Sequence, residues 1–469
     1  MPLSVLLLAS LSLLGRDFAQ TPFDQTGAAK VIMEARDRSQ VYERLTELTT
    51  KIGPRVTGSP QLMAADEWAM RVMKGYGLKN VHLEQWDTVP IGFWRGPNSK
   101  ARMVTPYEAP ITFSTNNWTA GTKGPVQGPA VVAPKTAEEV RANAAKLKGA
   151  WVLMPTQVGM GGPRNLPTDD FQKALDEVGI AGRVYSSQSE LVWSHGSWKG
   201  IDAQHLPTRV LVQVAKPDYD SVMKQLDGGS KVVLEFNVDN RWTKPQPVYN
   251  VVGEVPGTDL ADQVVVVGGH FDSWNTPGSQ GAMDNGTGSM VAMEVGRVLQ
   301  MAGVAHRRTL RVILYSGEEE GLLGSQGYVK SHVKELDKIV ACLNDDGGTN
   351  AEIGFTLLNG SEPIVAGIPE LVKKTFPTVD FHVNFGTRLP VGGSDHGSFV
   401  EGGVPAVEFN KARTPVSYRY IWHTQNDNIG NVSKPDLIES ATVSSIVAFV
   451  LLNSDATLPR PTEQRTVKP

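Results

Sequence analysis

Three short apolar runs, residues 264–268, 310–315 and 339–343, constrain the fold of this chain more than any other feature. Runs of this length without polar alternation suit strands buried on both faces of a parallel sheet. Between the first two, residues 290–301 space their apolar side chains as an amphipathic helix does. Strand, helix and strand in that order predict a crossover unit. The expected fold is therefore α/β: a doubly wound, mostly parallel sheet with helices on both faces.

The 469 residues exceed what one ordinary core organises, so two domains are expected. From residue 106 to 238 the texture changes to short β-branched runs (130–133, 151–154, 210–214) separated by Gly and Pro clusters. This predicts a mostly β insert that divides the α/β domain into residues 21–105 and 239–458. Apolar residues at spacings of three and four between 28 and 78 predict two amphipathic helices, one across Val31, Val41, Leu45 and Leu48, the other across Trp68, Met70 and Met73. A break at Gly53, Pro54, Gly58 and Pro60 parts them, and a strand over 81–86 follows.

The apolar run 5–14 is too short to cross a bilayer and predicts a signal peptide over residues 1–20, hence a secreted or periplasmic protein. No later stretch reads as a membrane span, and residues 459–469 read as a frayed tail. A net charge of −4 offers no basic field for nucleic acid. The single cysteine, Cys342, lies in an apolar run and reads as a buried small hydrophobe without a disulfide partner.

The chemistry gathers where the apolar runs end. Residues 264–268 lead into Gly-His270-Phe-Asp272-Ser-Trp274, at the sheet edge where open α/β folds bind ligands. Two residues beyond His270, Asp272 can accept from the ring nitrogen that faces away from a metal. The Gly-rich turn from Gly281 to Gly288 permits three readings. Asp284 or Thr287 caps the next helix; the turn cradles phosphate, although it lacks P-loop spacing and lysine; or its glycines admit close backbone while Asp284 bridges two cations. After 310–315 come Glu318, Glu319 and Glu320, three acids that repel unless a cation neutralises them or one takes a proton. A metal on Glu319, with Glu318 free for proton transfer, resolves that conflict.

Residues 339–343 run into Asn344-Asp345-Asp346, and Ser394-Asp395-His396 and Trp422-His423 follow. A mixed nitrogen and oxygen donor set suits zinc better than magnesium or calcium. Of nine histidines only His270 and His423 read as ligands. His396 reads as packed near the site, and His82, His195, His205, His306, His332 and His382 as surface or turn residues. Trp274 and Trp422 either wall a substrate pocket or pack on the sheet edge.

Taken in order, Gly53-Pro-Arg-Val-Thr-Gly-Ser59, the insert, His270-Phe-Asp272, Asp284, Glu318-Glu319, Asp346, Ser394-Asp395-His396 and Trp422-His423-Thr424 resemble the co-catalytic zinc exopeptidases, which include leucyl-type aminopeptidases and glutamate carboxypeptidases. The resemblance implies two zinc ions bridged by Asp284, one completed by His270 and Asp346, the other by Glu319 and His423. It implies Glu318 as general base and Asp272 as the acid orienting His270. Asp346 is favoured over Asp345 because the family's ligand precedes small residues. The insert is similar to a protease-associated domain. The implied activity is an aminopeptidase on peptides or dipeptides, with a carboxypeptidase or dipeptidase as alternative, and a homodimer is an assembly the family allows. Two rivals are a non-catalytic binding domain, which in this fold lacks zinc ligands, and a glutaminyl cyclase, which manages with one zinc and no insert.

Overall fold

The computed structural model describes residues 24–159, 162–163, 168–413 and 417–467; the expected signal peptide lies outside them. Helices α1 (Gln25–Asp37), α2 (Val41–Lys51) and α3 (Pro60–Gly75) precede strand β1 (Lys79–Val89). The single helix expected across Val31 to Leu48 is thus two helices, broken at Arg38-Ser39-Gln40, and the cause is tertiary. The Ser39 hydroxyl and Gln40 N–H donate to Glu294 (3.2 and 3.0 Å), and the Arg38 carbonyl accepts from Arg297 (3.1 Å). These bonds supply what a continuous helix would have supplied, so local propensity yields. Helix α3 starts where Pro60 follows Ser59, whose hydroxyl accepts from the Leu62 N–H (3.1 Å).

The central sheet is built from β1 together with β2 (Gln246–Val255), β3 (Leu260–His270), β4 (Arg308–Tyr315), β5 (Ile339–Asn344) and β6 (Ala406–Glu408). Their order is β1-β2-β4-β3-β5-β6. Strands β4, β3, β5 and β6 pair in parallel, while β1 and β2 form an antiparallel edge. Alternation along β3 sends Val265 and Val267 to one face and Val264 and Val266 to the other. The first face meets α1, α4 (Gly286–Met301) and α7 (Lys434–Asn453); the second meets α5 (Leu323–Ser331) and α6 (His396–Glu401). Strand β3 is joined to β4 through α4 on one face, and β4 to β5 through α5 on the other. The strand order therefore reverses at β3, and a crevice opens beyond the carboxyl ends of β3, β4 and β5.

Helix α7 departs from expectation: an 18-residue window within its 20 residues has a mean hydropathy of 1.5, long and apolar enough to span a bilayer, but 78% of that window is buried inside the protein. Its apolar residues serve the core, where a helix apolar all round belongs. The tail also differs from the frayed segment expected. Gln464 exchanges two hydrogen bonds with the main chain of Leu389 (2.8 and 2.9 Å), and Arg460 donates to the carbonyls of Leu336 and Ile339 (2.8 and 3.0 Å), so the chain is tied down through residue 467.

Residues 100–237 hold a second, nine-stranded sheet. Its largely aliphatic core holds an aromatic group, with Trp151 and Phe236 at 4.5 Å between centroids and Phe113 edge-on to Phe236. Helices Asp169–Val178 and Lys216–Asp227 flank it. The strand Lys100–Thr105 already pairs with Val233–Asn237 in this sheet, so the sheet begins before the boundary at 106 that composition suggested. Lys100–Thr105 is too short and mixed for its partner to be read from the sequence.

Candidate metal centre

The crevice is assembled by backbone stapling. Arg55, fully buried, donates to the carbonyls of Gly53, Phe271, Gln280 and Gly281 at 2.7–3.3 Å. One guanidinium thereby joins the segment after β3 to the turn that carries Asp284. Burial pulls its pKa down to about 10, with Asp427, Asp272 and Asp284 opposing, so it stays charged at neutral pH. Neither Asp284 nor Thr287 caps α4. Asn285 does so, accepting from the Gly288 N–H (2.9 Å) and donating to the Asp345 carbonyl (2.7 Å), which leaves the Asp284 carboxylate free. A Cβ on Gly288 would lie 1.9 Å from the Asp345 carbonyl oxygen, so only glycine fits there. The Asp427 carboxylate secures the turn from below by accepting from the Met283 N–H (2.6 Å).

All five sequence-derived ligands meet in the crevice as two groups that share Asp284: His270, Asp284 and Asp346, and Asp284, Glu319 and His423. Nε2 of His270 lies 3.4 Å from Oδ1 of Asp284 and 3.2 Å from Oδ1 of Asp346. Nε2 of His423 lies 3.4 Å from Oδ2 of Asp284 and 3.0 Å from Oε2 of Glu319. Asp284 thus turns one oxygen to each group, as a bridging carboxylate must. Glu318 stands beside the first group, 3.9 Å from Nε2 of His270.

Asp272 lies beside His270 and has further partners. The Nδ1 of His270 lies 3.1 Å from the main-chain carbonyl of Asp272 and 3.6 Å from its carboxylate. That carboxylate also accepts from the N–H groups of Glu318 (3.3 Å) and Glu319 (3.2 Å) and from the Thr57 hydroxyl (3.1 Å). It therefore fixes the backbone of both glutamates. Of the doubled aspartates, Asp346 faces the cluster, whereas Asp345 pairs with the buried Lys411 (2.8 Å). Sequence reasoning gave no role to Arg55, although the Gly53–Ser59 motif contains it, and missed Lys411, Tyr418, which lines the cavity with Asp284, and Glu408, which accepts from the Asp346 N–H (2.7 Å). Nothing near Lys411, Tyr418 and Glu408 in sequence marks them, because each acts across the fold.

Trp422 lines the cavity and stacks on His423 at 3.8 Å, whereas Trp274 is buried with its edge toward that ring. His396 is buried, its Nδ1 3.4 Å from Glu408. His306, expected at the surface, is buried on the Arg308 carbonyl (2.6 Å), and His332 is half-buried against Glu84 (3.0 Å). Cys342 is buried, as its apolar run implies.

The cavity over the two groups measures about 370 Å³ and is lined by Asp284, Glu318, Glu319 and Asp346 with Tyr418, Trp422 and His423. Its described lining holds no lysine or arginine. Burial pushes the Glu318 and Glu319 carboxyls well above the usual carboxylate range, with repulsion from Asp346 acting on Glu318 and from Asp284 on Glu319. Oδ2 of Asp284 and Oε1 of Glu319 are buried without a hydrogen-bond partner. Such oxygens are costly unless a cation meets them. Two imidazoles and three carboxylates are a donor set that zinc accepts, and they fit two ions sharing one carboxylate.

Residues 250–447 match the family model described as Peptidase family M28. Carboxypeptidase Q of Rattus norvegicus is 25% identical over 436 residues, covering 90% of this chain and 87% of that protein. A Peptidase M28 precursor from Shewanella amazonensis superposes with a TM-score of 0.67 at 23% identity, covering 95% of this chain and 99% of that one. A zinc aminopeptidase from Bacillus subtilis superposes with a TM-score of 0.56 at 21% identity, covering 89% and 96%. Both superpositions are likenesses of fold.

Proposed function

We propose, from the premise that this chain is a zinc exopeptidase of Peptidase family M28 through residues 250–447, that it binds two zinc ions and removes single residues from the amino end of short peptides or dipeptides. The observation that carries this reading is the Asp284 carboxylate, offered by one oxygen to His270 and Asp346 and by the other to Glu319 and His423. Zinc bound there supplies a Lewis acid for the scissile carbonyl and lowers the pKa of water.

The chain's own residues supply the rest. Glu318, at the cavity wall and held by the Asp272 carboxylate through its N–H, takes the proton of the attacking water and returns it to the departing amine. Asp272 acts as a positioning residue for Glu318 and Glu319. The described lining offers no lysine or arginine to pair with a free carboxylate, which favours attack at the amino end. A cavity near 370 Å³ accommodates a residue or two, which favours an exopeptidase over an enzyme that grips a long chain.

A second reading, a carboxypeptidase or dipeptidase, draws support from the likeness to carboxypeptidase Q over 90% of the chain. The complete set of five ligands and a base weighs against a non-catalytic binding domain. We read residues 100–237 as a protease-associated insert and the protein as secreted. One dipeptide offered free, N-acetylated and C-amidated to the zinc-loaded protein separates the readings. Loss of cleavage on acetylation alone is expected. Loss on amidation alone assigns a carboxypeptidase, loss on both a dipeptidase, and no cleavage of any form rejects the enzyme.

A further inference from the structure

The insert reaches the metal centre at one ligand. Its residues 190–195 run beside residues 423–425: the Ser194 N–H donates to the His423 carbonyl (3.1 Å), the Val192 N–H to Oε1 of Gln425 (3.0 Å), and Nε2 of Gln425 to the Glu190 carbonyl (3.0 Å). Trp193 and Thr424 form an antiparallel bridge between the same segments. From the peptidase side, the Thr276 hydroxyl donates to the same His423 carbonyl (2.8 Å).

His423 needs this support. Its φ is +60°, a left-handed conformation that a residue with a Cβ holds only where its surroundings impose it. The ring is also buttressed, by Trp422 stacked at 3.8 Å and by Trp274 edge-on at 5.9 Å. Trp274 rests in turn on Trp118 of the insert (6.3 Å), in an apolar cluster with Val56, Ile91 and Phe93. His270 and Asp346 are held instead by the end of β3 and by Glu408. The two histidines therefore differ in support: His270 is fixed by the sheet, His423 in part by the contact with the insert.

We infer that segment 190–195, acting through Gln425, is a strut that positions His423 and thereby sets the zinc affinity of the half-site formed by Asp284, Glu319 and His423. The insert is then a tuning element for one ion. This inference rests on the two-zinc reading above. Gln425 is a positioning residue, remote enough from the ligands that its loss leaves the donor set whole.

The test is stepwise zinc uptake by the metal-free full-length chain, followed by competition with a chromophoric chelator. Wild type takes up two ions. Gln425→Ala weakens one step about tenfold or more, the range expected when a group supporting a ligand is lost, and leaves the other step and the melting temperature of the metal-free protein unchanged. Gln425→Glu keeps the acceptor for Val192 and loses the donor to Glu190, so it recovers part of the affinity and serves as the folded variant should the alanine form misfold. Equal weakening of both steps, or of neither, overturns the strut. A wild type that takes fewer than two ions overturns the two-zinc reading and the strut with it.

Discussion

At the scale of single residues, the site depends on side chains that never touch substrate. Arg55 satisfies four carbonyls from three segments, so its truncation leaves buried acceptors unpaired and a cavity where a planar cation stood. Arg55→Ala should cost about 3 kcal/mol or more of stability, read as a fall in the denaturation midpoint in urea. Arg55→Lys should recover little, because a point-like ammonium cannot reach all four carbonyls. A variant as stable as wild type would contradict the stapling role. His270 and Glu319 were legible in the sequence as candidate ligands, since they lie shortly after apolar runs that read as buried strands, whereas the choice of Asp346 over Asp345 came from the resemblance. Asp284 as a bridge was one of three readings of a Gly-rich turn, and His423 was a lone candidate without a partner, so the resemblance assigned both their places. The added role of Asp272 was not legible: spacing suggested only His270 as its partner, and the turn after β4 brings two N–H donors as well.

At the scale of elements, position follows from the reversal of strand order at β3, which places three strand ends around one crevice. The turn between β3 and α4 is the tightest joint in that arrangement, and Gly288 is where it passes the Asp345 carbonyl. Gly288→Ala should displace the start of α4 and the Asp284 turn, lowering zinc content measured on the purified protein well below that of wild type. Full zinc occupancy in that variant would show the joint to be looser than described. The crossover of β3, α4 and β4 was readable from apolar runs and periodicity. The break between α1 and α2 was not, because Glu294 and Arg297, which impose it, lie far away in the chain. The start of the second sheet at Lys100–Thr105 was hidden for a related reason: strand pairing is decided by the partner, Val233–Asn237, and not by local composition.

At the scale of the whole molecule, the buried acids couple folding to metal and pH. Burial raises Glu318 and Glu319, so the metal-free fold binds protons that the unfolded chain has released. Their contribution to stability is fully present below the ordinary carboxylate pKa and is lost as pH rises through the elevated folded values. Zinc requires the opposite state, ionised carboxylates and neutral imidazoles. The difference in melting temperature between zinc-loaded and chelator-treated protein should therefore widen from about pH 5 to about pH 8; a constant difference would show that Glu319 does not hold the metal. The measurement that bears most directly on the account is zinc content together with turnover of Glu318→Gln on the free dipeptide. The account predicts two zinc ions per chain, as in wild type, with turnover lowered by about 10²–10⁴-fold, the scale of general acid–base catalysis. Parallel loss of zinc and activity, or turnover near that of wild type, would contradict it.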